Sequence, residues 1–376
     1  MITVWRRRKI QMDHDENRKI YLLSESEAVT EMKKKKKKKK KTTTIDDDDD
    51  DDGKNYRFLS FNELPEYMKD NEYILDYYRA NWPLKEALFS IFRWHNETLN
   101  VWTHLLGFML FVGLTVANLI HVPHVADFIA MISEQFPTTA EGNASKNLVS
   151  LSTSRVATPW VVEVNEGGGG GGGLRRWPLY VFLCGSMLCL LCSSVCHLFS
   201  CHSRRLSLQL LRLDYVGIAV MIITSFFPPI YYIFQCSPGW QLLYLSGITA
   251  MGLCTMAALL SPPLSAPRYR PLRALLFVSM GLFGLFPALH ALVLNWRDPH
   301  RDLILAYESA MAASYLLGTL FYVTRVPERW LPGRFDLAGH SHQIFHVFVL
   351  VGALAHYAAA QVFFTYRTRT ACAAFA

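Results

Sequence analysis

Charge is scarce in the chain after residue 99, and lysine is missing from most of it. No lysine occurs after Lys146, so no late apolar segment can hold retinal as a Schiff base. No series of carboxylates crosses the apolar segments, so a transport signature is absent. The sequence Asp-Arg-Tyr does not occur in the third apolar segment. Several classes of multi-span membrane protein are therefore disfavoured.

A cleavable signal peptide and a disulfide framework are also missing. The N-terminus is polar and no apolar stretch precedes residue 99, so the first apolar segment is expected to direct the chain to the membrane. Five of the eight cysteines cluster on or beside the second apolar segment. We expect these cysteines to pack as small apolar side chains.

Apolar segments of membrane-spanning length recur seven times. A helix needs about 20 apolar residues to cross a hydrocarbon core about 30 Å thick. The segments cover residues 99–119, 178–200, 213–235, 240–260, 274–294, 303–324 and 343–364. This pattern predicts an all-α, multi-pass membrane protein with seven transmembrane helices. The plasma membrane is the expected location, with an endomembrane as the alternative.

Basic residues in the loops predict the orientation of these helices. Nine arginines follow the second, fourth and sixth segments, whereas only Arg297 and Arg301 lie in the short loops on the opposite side. Because arginine and lysine concentrate in cytosolic loops, the N-terminus is predicted to be cytosolic and the C-terminus outside. The net charge of +7 comes largely from a lysine run and these loops, so nucleic acid is not an expected partner.

The remaining regions differ in composition. Residues 1–54 contain nine consecutive lysines and seven consecutive aspartates, which predicts a disordered charged tail. Residues 55–94 carry apolar and aromatic side chains at helical spacing, which predicts a cytosolic amphipathic helical segment. Residues 95–366 form the predicted transmembrane domain, which includes a long flexible outward loop at 120–177. Residues 367–376 form a short tail.

Ionisable residues converge at the inner end of this predicted bundle. His197 lies near the end of the second segment, Asp214 near the start of the third, and His342 and His346 near the start of the seventh. The i, i+4 spacing of the last two places both imidazoles on one helix face. Ionisable groups are costly inside a membrane, so they are functional candidates. Four further polar residues share this depth: Ser193, Glu97, Asn100 and His104.

The three histidines predict a metal site. Neutral imidazoles suit Zn²⁺, and catalytic zinc sites typically have three protein ligands. Asp214 is then placed to orient a water molecule or to take its proton. The alternative is that the histidines hydrogen-bond within a polar bundle core. The matching depth of His197 and Asp214 favours the metal.

Other residues are not expected to join this site. His340 points away from the face shared by His342 and His346, and His290, His356 and Glu308 lie toward the outer side. Four glycines are expected to permit close helix contacts, and three prolines to bend helices: Gly107, Gly113, Gly247, Gly252, Pro228, Pro229 and Pro287.

The motifs around the polar residues resemble those of the progestin and adipoQ receptor family. Residues 90–104 are similar to its first motif, Glu-x-x-Asn-x-x-x-His. Ser193-x-x-x-His197, followed by Leu213-Asp214-Tyr215, resembles the second, and residues 341–346 resemble the third, after a Val-Pro-Glu-Arg sequence at 326–329. The resemblance covers about residues 60–120 and 178–364, and residues 64–79 are most similar to plant heptahelical members.

The resemblance implies zinc bound by His197, His342 and His346, with Asp214 beside the water molecule at the metal and Ser193 nearby. It also implies a receptor that responds to a hormone, a metabolite or abiotic stress. Membrane lipids, an extracellular or lipid ligand and cytosolic signalling proteins are the expected partners. The glycine-rich 120–177 loop and the homopolymer tail depart from the family pattern.

Two other functions stay open. Distant relatives imply a zinc-dependent lipid amide hydrolase that acts on ceramide-like substrates, with Asp214 and Ser193 as its catalytic residues. The other is a purely structural zinc site that ties the second segment to the seventh, with Asp214 as a fourth ligand.

Overall fold

The computed structural model describes residues 56–120, 176–261, 264, 267–296 and 299–369. The compact unit that contains the transmembrane helices begins at Arg57. Within the described ranges the regular elements are helices, together with one isolated β-bridge between Leu59 and Tyr78. The predicted charged tail and nearly all of the predicted outward loop lie outside the described residues.

Seven helices in the described chain have the length and apolar composition to cross a membrane, as the sequence predicts. The mean hydropathy of their most apolar windows ranges from 1.3 to 2.1. In chain order, spans one to seven are Thr98–Ile120, Trp177–Phe199, Arg204–Ile233, Pro238–Leu259, Arg270–Leu294, Arg301–Thr324 and Ser341–Thr365. The helix of span seven continues to Arg369.

Spans three and five are each interrupted near proline, which confirms the predicted bends. Span three consists of the helices Arg204–Ser225 and Phe227–Ile233, and span five of Arg270–Phe283 and Leu285–Leu294. Proline removes a backbone N–H and crowds the preceding turn, so the regular ladder of helical hydrogen bonds cannot continue. Pro229 in particular cannot donate to the carbonyl of Ser225, four residues earlier.

The segment before span one is helical only in short pieces. Its α-helix, Leu84–Phe89, is accompanied by the 3₁₀ turns Phe61–Glu63, Glu66–Met68 and Ser90–Phe92. Pro65 and Pro83 precede two of these elements. Tyr77 and Asn81 adopt positive φ values of 66° and 59°, which no helix accommodates. These residues divide a stretch whose apolar spacing resembles that of longer helices.

This segment, residues 57–94, forms a cap over the end of the bundle where spans five and seven begin. Asp70 pairs with Arg270 at the start of span five, and Glu72 pairs with Arg325 at the end of span six. The carboxylate of Asp336 accepts the backbone N–H groups of Leu75 and Asp76 at 3.0 Å each. The cap is therefore attached to the start of span five and, at two points, to the connection between spans six and seven.

Close helix contacts occur at three of the four glycines singled out from the sequence. An added Cβ would lie 3.0 Å from Leu350 at Gly107, 2.9 Å from Phe283 at Gly247 and 2.4 Å from Ile223 at Gly252. At Gly113 no described atom lies within 4 Å of that position, so the expectation was wrong there. The tightest contact is at Gly185 in span two, where the Cβ would lie 1.9 Å from Oγ1 and 2.8 Å from Cβ of Thr224 in span three.

We predict that Gly185→Ala destabilises the bundle by about 1–3 kcal/mol, because the β-branched Thr224 cannot move its Cβ without a shift of span three. Thermal unfolding of the purified protein in detergent provides the measurement. Gly113→Ala is the matched control and should leave the midpoint unchanged. Equal midpoints for the two variants would show that the close contact between spans two and three is absent.

Candidate metal centre

The histidines at the capped ends of spans two and seven come together in one group. His197, His342 and His346 each offer a ring nitrogen, and these atoms all lie within 4.8 Å of one another. Nε2 of His342 is 3.2 Å from Nε2 of His197. Two imidazole nitrogens bound tetrahedrally to zinc at the usual bond length are about 3.3–3.4 Å apart. The spacing of His197 and His342 therefore fits two ligands of one metal ion, and a ring nitrogen of His346 lies within 4.8 Å of both.

Glu97 determines which nitrogen of His197 is free. Its Oε2 lies 2.8 Å from Nδ1 of His197 and accepts a hydrogen bond of 2.6 Å from Nδ2 of Asn100. An ionised carboxylate can only accept, so Nδ1 of His197 carries a proton, and Nε2 of the neutral ring presents a lone pair. A carboxylate behind an imidazole also raises its strength as a metal ligand.

Span one fixes His346 in the same way. Nδ1 of His346 is 3.2 Å from the backbone carbonyl oxygen of Asn100 and 3.4 Å from Oγ1 of Thr103. A carbonyl accepts, so Nδ1 donates and Nε2 is left for a metal. The ring of His104 stacks on that of His346, with 3.7 Å between centroids and 5° between planes. Residues of the first motif thus position His197 of the second motif and His346 of the third.

The approach of His342 to His197 requires a positive charge or a proton between them. In a neutral His197 the Nε2 atom is a lone pair, which would repel a second lone pair at 3.2 Å. Either one of the two Nε2 atoms carries a proton or both nitrogens bind one cation. With the free Nε2 of His346 beside them, the donors form the three-nitrogen set that is typical of zinc.

The charge state of Glu97 follows from its surroundings at the edge of span one. Burial raises the pKa of Glu97, but attraction to His197 and the hydrogen bonds from His197 and Asn100 outweigh it, and the net pKa lies below its usual range. Its backbone N–H donates to Nδ1 of His95 at 3.1 Å. Burial, together with the nearby Arg79 guanidinium, lowers the pKa of His95 to about 3, so this ring is neutral and can accept.

Asp214 and Ser193 lie beside the triad without belonging to its ligand group. Asp214 interacts electrostatically with His197, and the hydroxyl group of Ser193 lies next to its carboxyl group. Both side chains are buried. Among the described residues the ligand group contains three histidines and no carboxylate. Asp214 and Ser193 therefore belong to the cavity wall beside the triad and not to its ligand group.

Two buried ionisable residues that are not among the predicted site residues fix the helix ends that carry the triad. Arg79 of the cap is 2% exposed and donates to the carbonyl oxygens of His197 at 2.8 Å and Leu198 at 3.1 Å. Glu328 is fully buried and accepts the backbone N–H of Ser341 at 2.7 Å. Cations suit the C-terminus of a helix and anions the N-terminus. Both residues lie in stretches that carry the family resemblance, which is the one signal that points to them.

The histidines that are not expected to join the metal site lie outside the triad. Nε2 of His340 is 3.2 Å from the carbonyl oxygen of Asn96, and Nδ1 of His290 is 3.0 Å from the hydroxyl of Tyr244. His356 contacts the carbonyl oxygen of Ser225. Glu308 faces His356, and its side chain is 27% exposed.

The triad opens onto a cavity of about 980 Å³ that extends along the bundle. Asp214 and Ser193 line the part of the cavity near the triad, and cap residues including Tyr67 and Asn71 also line the cavity. Apolar side chains of spans three, five and six form much of the remaining wall. A cavity with this lining suits a largely apolar molecule with one polar end.

These features define a heptahelical membrane protein with a three-histidine group at one end of the bundle. The family model described as haemolysin-III related matches residues 92–357. The chain belongs to this family, which includes the progestin and adipoQ receptors.

The relatives agree with this assignment. The chain is 56% identical over 331 residues to "Heptahelical transmembrane protein ADIPOR1" of Oryza sativa subsp. japonica, which covers 85% of this chain and 88% of that protein. It is 55% identical over 319 residues to "Heptahelical transmembrane protein 1" of Arabidopsis thaliana, covering 85% of each. It is 34% identical over 305 residues to "Adiponectin receptor protein" of Drosophila melanogaster, covering 81% of this chain and 59% of that protein.

We predict that Glu97→Gln weakens metal binding about 10–100-fold, because an amide holds the tautomer of His197 less firmly and adds no negative charge behind it. Competition titration with a zinc chelator measures the change. Glu66→Gln, at an exposed position in the cap, is the matched control and should bind metal like the wild type. Unaltered affinity in Glu97→Gln would remove Glu97 from the site.

Proposed function

We propose that this protein is a receptor-like heptahelical membrane protein with an intramembrane zinc site formed by His197, His342 and His346. The observation that carries the proposal is the convergence of three imidazoles, two of which are fixed by acceptors from the start of span one. A donor set made only of imidazole nitrogens suits zinc better than calcium or magnesium, which prefer oxygen ligands.

The signalling role rests on the contacts between the cavity and the cap. Cap residues form the wall of the cavity beside the triad, and the same segment is paired with Arg270 and Arg325 at the ends of spans five and six. A molecule that fills the cavity would press on this wall and alter those pairs. We propose that a hormone, metabolite or stress-related lipid acts in this way on cytosolic signalling proteins, with the plasma membrane as the principal location.

The proposed orientation places the cap in the cytosol and the C-terminus outside. Arginines are concentrated at the capped end of the bundle, as expected for a cytosolic face. Cys236 lies between spans three and four at the opposite end and is disulfide-bonded. Disulfides persist in oxidising compartments and are rare in the cytosol, which supports the same assignment.

We predict that an epitope tag at the C-terminus binds antibody on intact cells, whereas a tag at the N-terminus needs permeabilised cells. The asymmetry of basic residues is the physical reason. Surface biotinylation establishes that the protein has reached the cell surface. An N-terminal tag that is reached first would reverse the proposed orientation.

A second candidate function, lipid amide hydrolysis, is favoured by the three-ligand group beside a large apolar cavity. Zinc held at such a site would polarise an amide carbonyl and make a water molecule more acidic. The carboxylate of Asp214 would accept a proton from the attacking water, and the amide nitrogen would take a proton as its bond to carbon breaks. The hydroxyl of Ser193 would hold the Asp214 carboxyl group in position.

If the protein hydrolyses a lipid amide, Asp214→Asn should lower turnover about 10²–10⁴-fold, because an amide cannot accept the proton. Zinc content and thermal stability should stay near those of the wild type. The assay uses purified protein and ceramides of several acyl-chain lengths, with Asp302→Asn, an exposed carboxylate in span six, as the matched control. No hydrolysis by the wild type would leave the receptor as the supported function, and full activity in Asp214→Asn would eliminate Asp214 as the base.

A further inference from the structure

A second polar contact lies deep in the bundle, away from the triad. His356 of span seven is 3% exposed, and its Nε2 is 2.8 Å from the backbone carbonyl oxygen of Ser225. That carbonyl is left open because its helical partner would be the N–H that Pro229 lacks. A carbonyl only accepts, so Nε2 of His356 carries a proton. Nδ1 of a neutral His356 would then be a bare lone pair.

Nδ1 of His356 faces a carboxylate oxygen. Oε1 of Glu308 in span six lies 3.1 Å from it, and both atoms are buried without another hydrogen-bond partner in the described chain. A carboxylate and an unprotonated ring nitrogen are both acceptors and repel each other at this distance. A proton on either atom turns the contact into an attraction, as a carboxylic acid with an imidazole or as a carboxylate with an imidazolium.

We propose that Glu308 and His356 form a second site in the cavity wall, which binds one proton within the membrane. The bound proton joins span six to span seven, and the opposite nitrogen of His356 joins both to the bend of span three. Both residues line the same cavity as the triad. His346 and His356 are ten residues apart, or about 15 Å along the helix, so this site is separate from the metal centre.

Among the described residues, the surroundings of the pair supply no other group to take the place of this proton. Phe182 of span two packs edge-on against the ring of His356, with centroids 4.8 Å apart. Tyr315, two turns along span six, is the titratable group that interacts electrostatically with Glu308, and Cys189 of span two lies beyond it. Arg301, two turns away in the other direction, pairs with Asp302 and with the carbonyl oxygen of Trp296. The described part of span three contributes a backbone carbonyl and no charge here.

The proposal predicts a stability that depends on pH through this pair. The pair stabilises the fold while it holds its proton, and this contribution is lost as pH rises and the proton leaves, because a buried carboxylate then faces a bare nitrogen. Glu308→Gln separates the effect of the contact from the effect of the bound proton, since its amide N–H can donate to Nδ1 of His356 at any pH. Glu308→Leu removes the contact altogether.

The experiment measures thermal unfolding midpoints of the full chain in detergent across a pH series. The midpoint of the wild type should fall at high pH relative to that of Glu308→Gln, and Glu308→Leu should lie about 5–10 °C below the wild type at low pH. Asp302→Asn should follow the wild type throughout. Parallel curves for wild type and Glu308→Gln would overturn the proposal.

Infrared difference spectra of the wild type over the same pH series give a second readout that does not require a variant to fold. Loss of a buried carboxylic acid or imidazolium signal over the range in which the midpoint falls supports the proposal. A spectrum with no such change overturns it. Neither result depends on whether zinc is bound or a lipid is hydrolysed, so the proposed function stands or fails separately.

Discussion

The hydrogen bond between Glu97 and His197 determines the chemistry of the capped end of this bundle. It places a proton on Nδ1 and directs the free Nε2 toward His342, at a depth where an unpaired polar group is costly. The backbone carbonyl of Asn100 does the same for His346. One turn of span one thus orients histidines on spans two and seven, and the donor set of the candidate metal centre depends on it.

Much of this arrangement could be predicted from the sequence, for identifiable reasons. Apolar segments of spanning length predicted the seven helices, and the i, i+4 spacing placed His342 and His346 on one face. Inferred depth brought His197 into the same group. The contacts of Glu97 and Asn100 could not be predicted, because they depend on the rotation of one helix relative to another. The use of the Asn100 backbone carbonyl as an acceptor cannot be predicted from the residue type, because every residue has such a carbonyl.

The bend of span three shows the same limit. Pro228 and Pro229 predicted an interruption, but not that the carbonyl of Ser225 would be satisfied by His356. The sequence places Glu308 toward the outer side, but it does not show that the side chain faces His356, because residue order gives the depth of a side chain more readily than its direction. The cap was foreseen as helical, whereas positive φ values at Tyr77 and Asn81 divide it into short turns that hold Arg79 against the end of span two. In each of these contacts the two polar groups come from segments that are far apart in the sequence.

The most direct test of this account is the zinc content of the purified chain, measured by mass spectrometry for the wild type, His197→Ala and a His342→Ala plus His346→Ala variant. We expect about one zinc per chain in the wild type and its loss in both variants, because a three-ligand site weakens severely when one ligand is removed. His290→Ala, outside the triad, should retain the metal. A wild type without zinc, or a His197→Ala variant with an unchanged zinc content, would contradict the account.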